Sequence, residues 1–256
     1  MSDSAHLIWE REILAAIKEK PITAEVQAIH NLDDVDSILY GSVLPIIHNA
    51  SSQPIPVEDA RSFLELAGQC PVLDLKIIER IFEELRSDSI AVLGCSVSSD
   101  CLVEAAPWQK LSRFLKENEP YVNRLFLEVS ETRPLGNAIG LKTKIQQLRQ
   151  MGVRVGIENF GSGYITPLRL LDLDIDFIKI DPSFVRHHIQ KVASLESIVD
   201  FAKSLAPVVI VGGLETQQQY LLIKQLKASH GQGSHLSQPT RFDNVDAYQE
   251  KICIRV

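Results

Sequence analysis

The chain has 256 residues, 45% of them hydrophobic and 23% charged, with a formal net charge of −7. That is enough chain to bury one full core of barrel size. The acidic balance, without a basic stripe or block, excludes an extended nucleic-acid surface or a polybasic membrane patch.

The first residues, MSDSAHLIWERE, lack the basic head and apolar core of a secretory leader. No apolar run approaches membrane-spanning length. Cys70, Cys95, Cys101 and Cys253 form no CxxC pair and no zinc-spaced cluster, so buried thiols in a reducing compartment are expected. The expectation is one cytoplasmic domain over residues 1–256, with residues 1–20 as a lead-in helix and no membrane insertion.

In chain order, His6 to Lys20 is predicted as an amphipathic helix ended by Pro21. Thr23–Ile29 and Ser37–Ile47 are predicted strands around the turn signal Asn31-Leu32-Asp33-Asp34, a link short enough for an antiparallel pair. After a polar loop, Val57–Ala67 and Val72–Leu85 are predicted helices, the second with Ile78, Ile81, Phe82 and Leu85 on one stripe. Ser89–Val97 is predicted as a strand, Trp108–Lys116 as a helix and Arg124–Ser130 as a strand. Leu141, Ile145, Leu148 and Met151 line a helix stopped by Gly152. Val153–Ile157 is a strand, Thr166 to Leu171 a short helix, and Ile175–Ile180 a strand with Lys179 as its lone cation. Ser194 is the expected cap of the next helix, which carries Leu195, Ile198, Val199, Ala202 and Leu205. Pro207–Val211 is a strand, and Thr216 with Gln219 has the pattern of a capping box. Strands and helices alternate with short links, which predicts a parallel α/β barrel. In such folds polar groups at the strand C-termini build the site.

Four stretches carry a family resemblance. Glu158-Asn159-Phe160-Gly161-Ser162-Gly163-Tyr164 resembles the DDFGTGYSS segment of the EAL-domain family, the cyclic di-GMP phosphodiesterases and their non-catalytic relatives. Lys179-Ile180-Asp181-Pro182-Ser183-Phe184-Val185 resembles its KIDRSFV segment. Val211-Gly212-Gly213-Leu214-Glu215-Thr216 is similar to AEGVET, and Gly231-Gln232-Gly233 with Ser237-Gln238-Pro239 is similar to GQG…SRP. The resemblance implies a modified (β/α)8 barrel whose first strand runs antiparallel. It also implies hydrolysis of one phosphodiester bond by two divalent ions of the magnesium or manganese type.

Position by position, the resemblance implies a site that has lost charge. The namesake Glu-Ala-Leu-x-Arg falls on Ser42-Val43-Leu44-Pro45-Ile46, so the acid has become Ser42 and the substrate-facing Arg has become Ile46. The family's Asn falls on Ser96, and the first Glu of EGVE falls on Gly212. Glu128, Glu158 and Asn159 remain at metal positions, as a vestigial set. Lys179 (also vestigial), Glu215 and Gln232 remain at catalytic positions. Two carboxylates are too few to hold a catalytic ion pair against mutual repulsion.

Each retained residue also has a plainer role. A buried Lys179 needs a partner, which Glu128 or Glu158 would provide. Glu215 is expected in the first turn of its helix, where negative charge is favourable. Gln232 would satisfy barrel-rim backbone groups, and Gly161 and Gly163 would serve the turn. His187-His188 reads as solvated surface, and His230 with His235 lacks a third ligand for zinc. The sequence thus predicts a degenerate, non-catalytic barrel acting as a cytoplasmic regulator through another protein. Two alternatives stay open: a cyclic di-GMP receptor without hydrolysis, and a weak cyclic di-GMP phosphodiesterase with an altered metal set. No cofactor is expected; magnesium or manganese enters only with residual activity. The Phe160–Leu168 loop region, whose family counterpart contributes to dimerisation, is the expected association surface for a homodimer or another protein.

Overall fold

The computed structural model describes residues 12–49, 51–130, 138–162, 167–188 and 191–242. Helix α1 covers residues 12–19, burying Ile13, Ala16 and Ile17 at helical spacing. Strands β1 (Thr23–Asn31) and β2 (Ile38–His48) form the expected antiparallel pair. Their turn is held by Asn31 Oδ1, which accepts the Asp33 N–H at 2.8 Å and the Asp34 N–H at 3.2 Å. The chain continues through β3 (Pro54–Ile55), α2 (Val57–Ala67), α3 (Cys70–Ser87), β4 (Leu93–Ser98), α4 (Ser99–Val103) and α5 (Ala105–Glu117). A 3-10 turn, Glu119–Arg124, leads into β5 (Leu125–Ser130), α6 (Ala138–Gln150), β6 (Arg154–Phe160), α7 (Pro167–Leu170) and β7 (Phe177–Ile180). Then follow α8 (Ser183–His188), α9 (Val192–Leu205), β8 (Val208–Val211), α10 (Gln217–Gln225), β9 (His230–Gly231) and β10 (Thr240–Arg241).

Among the described residues eight strands close into a ring. The order β2-β4-β5-β6-β7-β8-β9 is parallel throughout, and β1 joins its two ends by antiparallel pairing with β9 and β2. This is the predicted (β/α)8-type barrel with an antiparallel first strand. Two local expectations shift. The predicted strand from Ser89 starts only at Leu93, because the Asp88 carboxylate accepts the Ile90 and Ala91 N–H groups and makes a turn there. Ser194 is not the cap of α9. That helix begins at Val192 with Lys191 as its N-cap, which makes no side-chain cap bond, so Ser194 sits inside the first turn.

Period-two alternation sets the layers of the barrel. Leu125, Leu127 and Val129 of β5 are buried in the large cluster shared with the helices. Tyr40, Phe126, Phe177, Ile29 and Ile210 instead form a separate inner cluster. Tyr40 stacks on Phe126 with ring centroids 4.3 Å apart, and Phe177 lies 5.8 Å from Tyr40 and 5.7 Å from Phe126. Room for three rings comes from two glycines. A Cβ on Gly94 would stand 2.7 Å from the Tyr40 ring, and one on Gly156 would stand 2.3 Å from the Phe177 ring. This inner plug is the floor of the mouth. Two residues further along the same strands stand Ser42, Ser96, Glu128, Glu158, Lys179 and Gly212.

Candidate functional site

Strand geometry brings Glu128 of β5, Glu158 of β6 and Lys179 of β7 to one end of the barrel. Glu128 is 1% exposed, and both oxygens of its carboxylate accept hydrogen bonds. Its Oε2 accepts from Lys179 Nζ at 2.6 Å. Its Oε1 accepts from the Tyr40 hydroxyl at 3.0 Å and from Ser42 Oγ at 2.9 Å. Burial alone would raise this carboxyl, but the Lys179 charge and the three hydrogen bonds hold it below the ordinary glutamate value. The lysine that the sequence left between two possible partners is therefore bonded to Glu128.

Glu158 is half-buried and accepts from the Ser96 hydroxyl. Burial and then the adjacent Glu128 charge push its carboxyl up to about 7, against the opposing pull of Lys179, Ser96 and Arg61. Asn159 is exposed in the left-handed region, at φ 54°, a conformation Asn tolerates better than most residues. Its carbonyl accepts the Ser162 N–H at 3.2 Å and the Ser162 hydroxyl at 3.1 Å. The Ser162 hydroxyl also donates to Asp181 Oδ2, which ties the end of β6 to the end of β7. Residues 163–166, and with them Gly163 and Tyr164, lie outside the described residues, as does Cys253.

The remaining expected residues are less closely joined. Glu215 is not in the first turn of α10; it precedes the N-cap Thr216, which does form the predicted capping box with Gln219. The Glu215 carboxylate, half exposed, accepts from Arg186 Nε at 2.9 Å. Gln232 is buried, with its N–H on the Val211 carbonyl at 3.0 Å and its carbonyl on the Leu214 N–H at 3.0 Å. It thus stitches β8 to the segment after β9 through its backbone. At Gly212 a Cβ would come within 3.1 Å of the Pro182 ring, so Pro182 stands against the position where the resemblance expects an acid. Cys70, Cys95 and Cys101 are buried free thiols, and burial pushes Cys70 up to about 12.

Sequence reasoning missed a second polar group beside the mouth. Arg61 of α2 donates to the Ser96 carbonyl at 3.2 Å and to Asp74 Oδ1 at 3.3 Å. Asp74, fully buried on α3, also accepts the Ser98 N–H at 2.8 Å and the Ser98 hydroxyl. Burial raises the Asp74 carboxyl even so. The signal was available: Asp74 is a carboxylate on the apolar stripe of Cys70, Leu73, Ile77, Ile78 and Ile81. Tyr40 left no comparable signal, since an aromatic in a strand reads as core.

The model of the EAL domain matches residues 10–239. The chain belongs to the EAL domain family. It is 32% identical over 187 residues to a probable cyclic di-GMP phosphodiesterase, PdeA of Escherichia coli K12, covering 69% of this chain and 26% of that protein. It is 27% identical over 150 residues to the cyclic di-GMP phosphodiesterase PA2567 of Pseudomonas aeruginosa, covering 57% of this chain and 26% of that protein. The chain thus spans about a quarter of the length of these curated relatives. Among solved structures, the EAL enzyme Bd1971 with cAMP and cyclic di-GMP bound superposes with a TM-score of 0.81 at 21% identity, over 95% of this chain and 69% of that one. The S helix-GGDEF-EAL portion of Vibrio cholerae LapD, without ligand, gives 0.81 at 18% identity, over 91% of this chain and 57% of that one. These likenesses establish the barrel. The chain is an EAL domain of a family that works in cyclic di-GMP signalling.

Proposed function

We propose that this EAL domain does not hydrolyse cyclic di-GMP and serves as a cytoplasmic regulatory or protein-interaction module in cyclic di-GMP-related signalling. One observation carries the reading: the two mouth carboxylates, Glu128 and Glu158, are already engaged by the chain's own donors. Among the described residues no group of three or more His, Cys, Asp or Glu side chains is arranged to hold a metal ion. Phosphodiester hydrolysis of the family's kind needs anionic oxygens for paired ions. Serines at positions 42 and 96 and a glycine at 212 cannot supply them. Lys179 and Gln232 keep catalytic positions without the partners that would give them work, and Glu215 is drawn to Arg186. Ile46 removes the charged, directional contact that an Arg would make with a phosphate or guanine, which disfavours the receptor reading. The association surface is the Phe160–Leu168 region, for a like subunit or another protein.

The test is calorimetric titration with cyclic di-GMP, with and without magnesium or manganese, followed by chromatography of the nucleotide. No linear product is expected. Turnover that disappears in Lys179→Ala overturns the reading, and binding without turnover converts it to a receptor. Light scattering over a concentration series, comparing wild type with Tyr164→Ala and Leu168→Arg, tests the association surface.

A further inference from the structure

The donor set at the mouth does not fit a divalent ion. Hard cations need several open anionic oxygens. Both oxygens of Glu128 are occupied by donors, and Oε1 of Glu158 is bonded by Ser96. Three hydroxyls at this site, those of Tyr40, Ser42 and Ser96, are turned to donate rather than to ligate. The positive charge near Glu128 is instead the chain's own, on Lys179, with Arg61 fixed on the Ser96 carbonyl close by.

Ser42 is the residue that decides this. It is 3% exposed, and its Oγ stands 2.9 Å from Glu128 Oε1. It occupies the position where the EAL resemblance expects a glutamate. A carboxylate there would set two anions side by side in a site shielded from water, where like charges repel far more strongly than in bulk solvent. With Glu158 also near, one lysine could not neutralise three acids. A hydroxyl at position 42 reverses the sign of the contact: an acceptor that would need a cation becomes a donor that satisfies the acceptor already there.

We propose that Ser42 and Lys179 satisfy Glu128 in place of a divalent ion, so that the chain assembles its strand-end site without one and gains no stability from one. The inference rests on the non-hydrolysing reading and goes beyond it. A chain that merely lost activity could still need a metal ion to fold its mouth; here the retained Lys179 and the Ser42 hydroxyl leave Glu128 satisfied without one. Its stability is then independent of cellular magnesium and manganese.

The experiment is thermal melting of the whole chain by circular dichroism, in chelator and in excess manganese chloride. The set is wild type, Ser42→Glu, Ser42→Asp and Ser42→Gln. Wild type and Ser42→Gln are expected to melt at the same temperature in both buffers, to within about 1 °C. Ser42→Glu is expected to melt roughly 5–10 °C below Ser42→Gln in chelator, and to recover half or more of that in manganese. Gln matches Glu in size, so the comparison isolates charge from crowding. If Ser42→Glu does not fold, the shorter Ser42→Asp takes its place. A wild-type melt raised several degrees by manganese overturns the proposal, as does an acidic variant no more responsive to metal than Ser42→Gln. A metal-raised melt without nucleotide turnover would sink this inference and leave the non-hydrolysing reading standing. Turnover by wild type would sink that reading by itself.

Discussion

Lys179→Met is the sharpest probe of how the mouth is held together. The lysine side chain is 14% exposed and that of Glu128 is 2% exposed, so the pair is largely shielded from water. Removing one partner of such a pair costs about 3–5 kcal/mol, because the other charge stays buried and uncompensated. Tyr40 and Ser42 still donate to the orphaned carboxylate and retain about 1 kcal/mol each. The expected loss is therefore near the lower limit, about 3 kcal/mol, or roughly 6–10 °C in melting temperature. The loss should depend on pH in a definite sense. In wild type the Glu128 value lies below its unfolded value, so its contribution is present above the ordinary glutamate range and fades as pH falls. In the variant burial acts without the lysine and raises that value, so the variant loses stability as pH rises. The gap between the two should widen from pH 5 to pH 8. Adding Glu128→Gln to the variant removes the stranded charge and should restore about 1–2 kcal/mol. Urea denaturation followed by circular dichroism measures all four members of the cycle. A single-variant loss below about 1 kcal/mol, or strictly additive losses, would refute the claim that this pair carries the site.

Three further outcomes follow from neighbouring groups. Glu158 has a folded value raised to about 7, so it favours the fold below its unfolded value and stops doing so as pH rises through 7. Glu158→Gln should therefore flatten the decline in stability between pH 5 and pH 8 and be more stable than wild type at pH 8, by on the order of 2 kcal/mol once partial solvent access is allowed for; an unchanged pH profile would count against the shift. Asp74→Ala strands the Arg61 guanidinium and the Ser98 N–H together and should cost about 3–5 kcal/mol in urea denaturation, whereas a loss under about 1 kcal/mol would mean water replaces the carboxylate. Gly161→Ala adds a Cβ at φ +97°, within 2.5 Å of the Phe184 ring and 2.6 Å of Ile198, and should lower stability by about 1–3 kcal/mol even with no change at the mouth.

The barrel and the mouth-forming strands were legible in the chain alone. Alternating apolar residues in Leu127-Glu128-Val129 and Ile178-Lys179-Ile180 place the charged member on the face opposite the helices, and period two allows no other arrangement within a strand. Asn31 and the Thr216–Gln219 pair announced a turn and a helix start through their own side chains, because those bonds are local. Asp88 was the local signal passed over, and it moved the start of β4. What the sequence could not decide was which donors meet at Glu128. Tyr40 and Ser42 are separated from it by 88 and 86 residues, and Lys179 by 51. Their meeting depends on the stagger of neighbouring strands around a closed ring, which pairs Ser42 with Gly94, Ser96 with Glu128 and Glu128 with Gly156. That stagger is a property of closure rather than of any one strand. The sequence specified that a lysine and two glutamates would line one mouth. The tertiary structure assigned the lysine to Glu128 and left Glu158 to Ser96, because only the closed barrel fixes the distances over which a buried charge finds its partner.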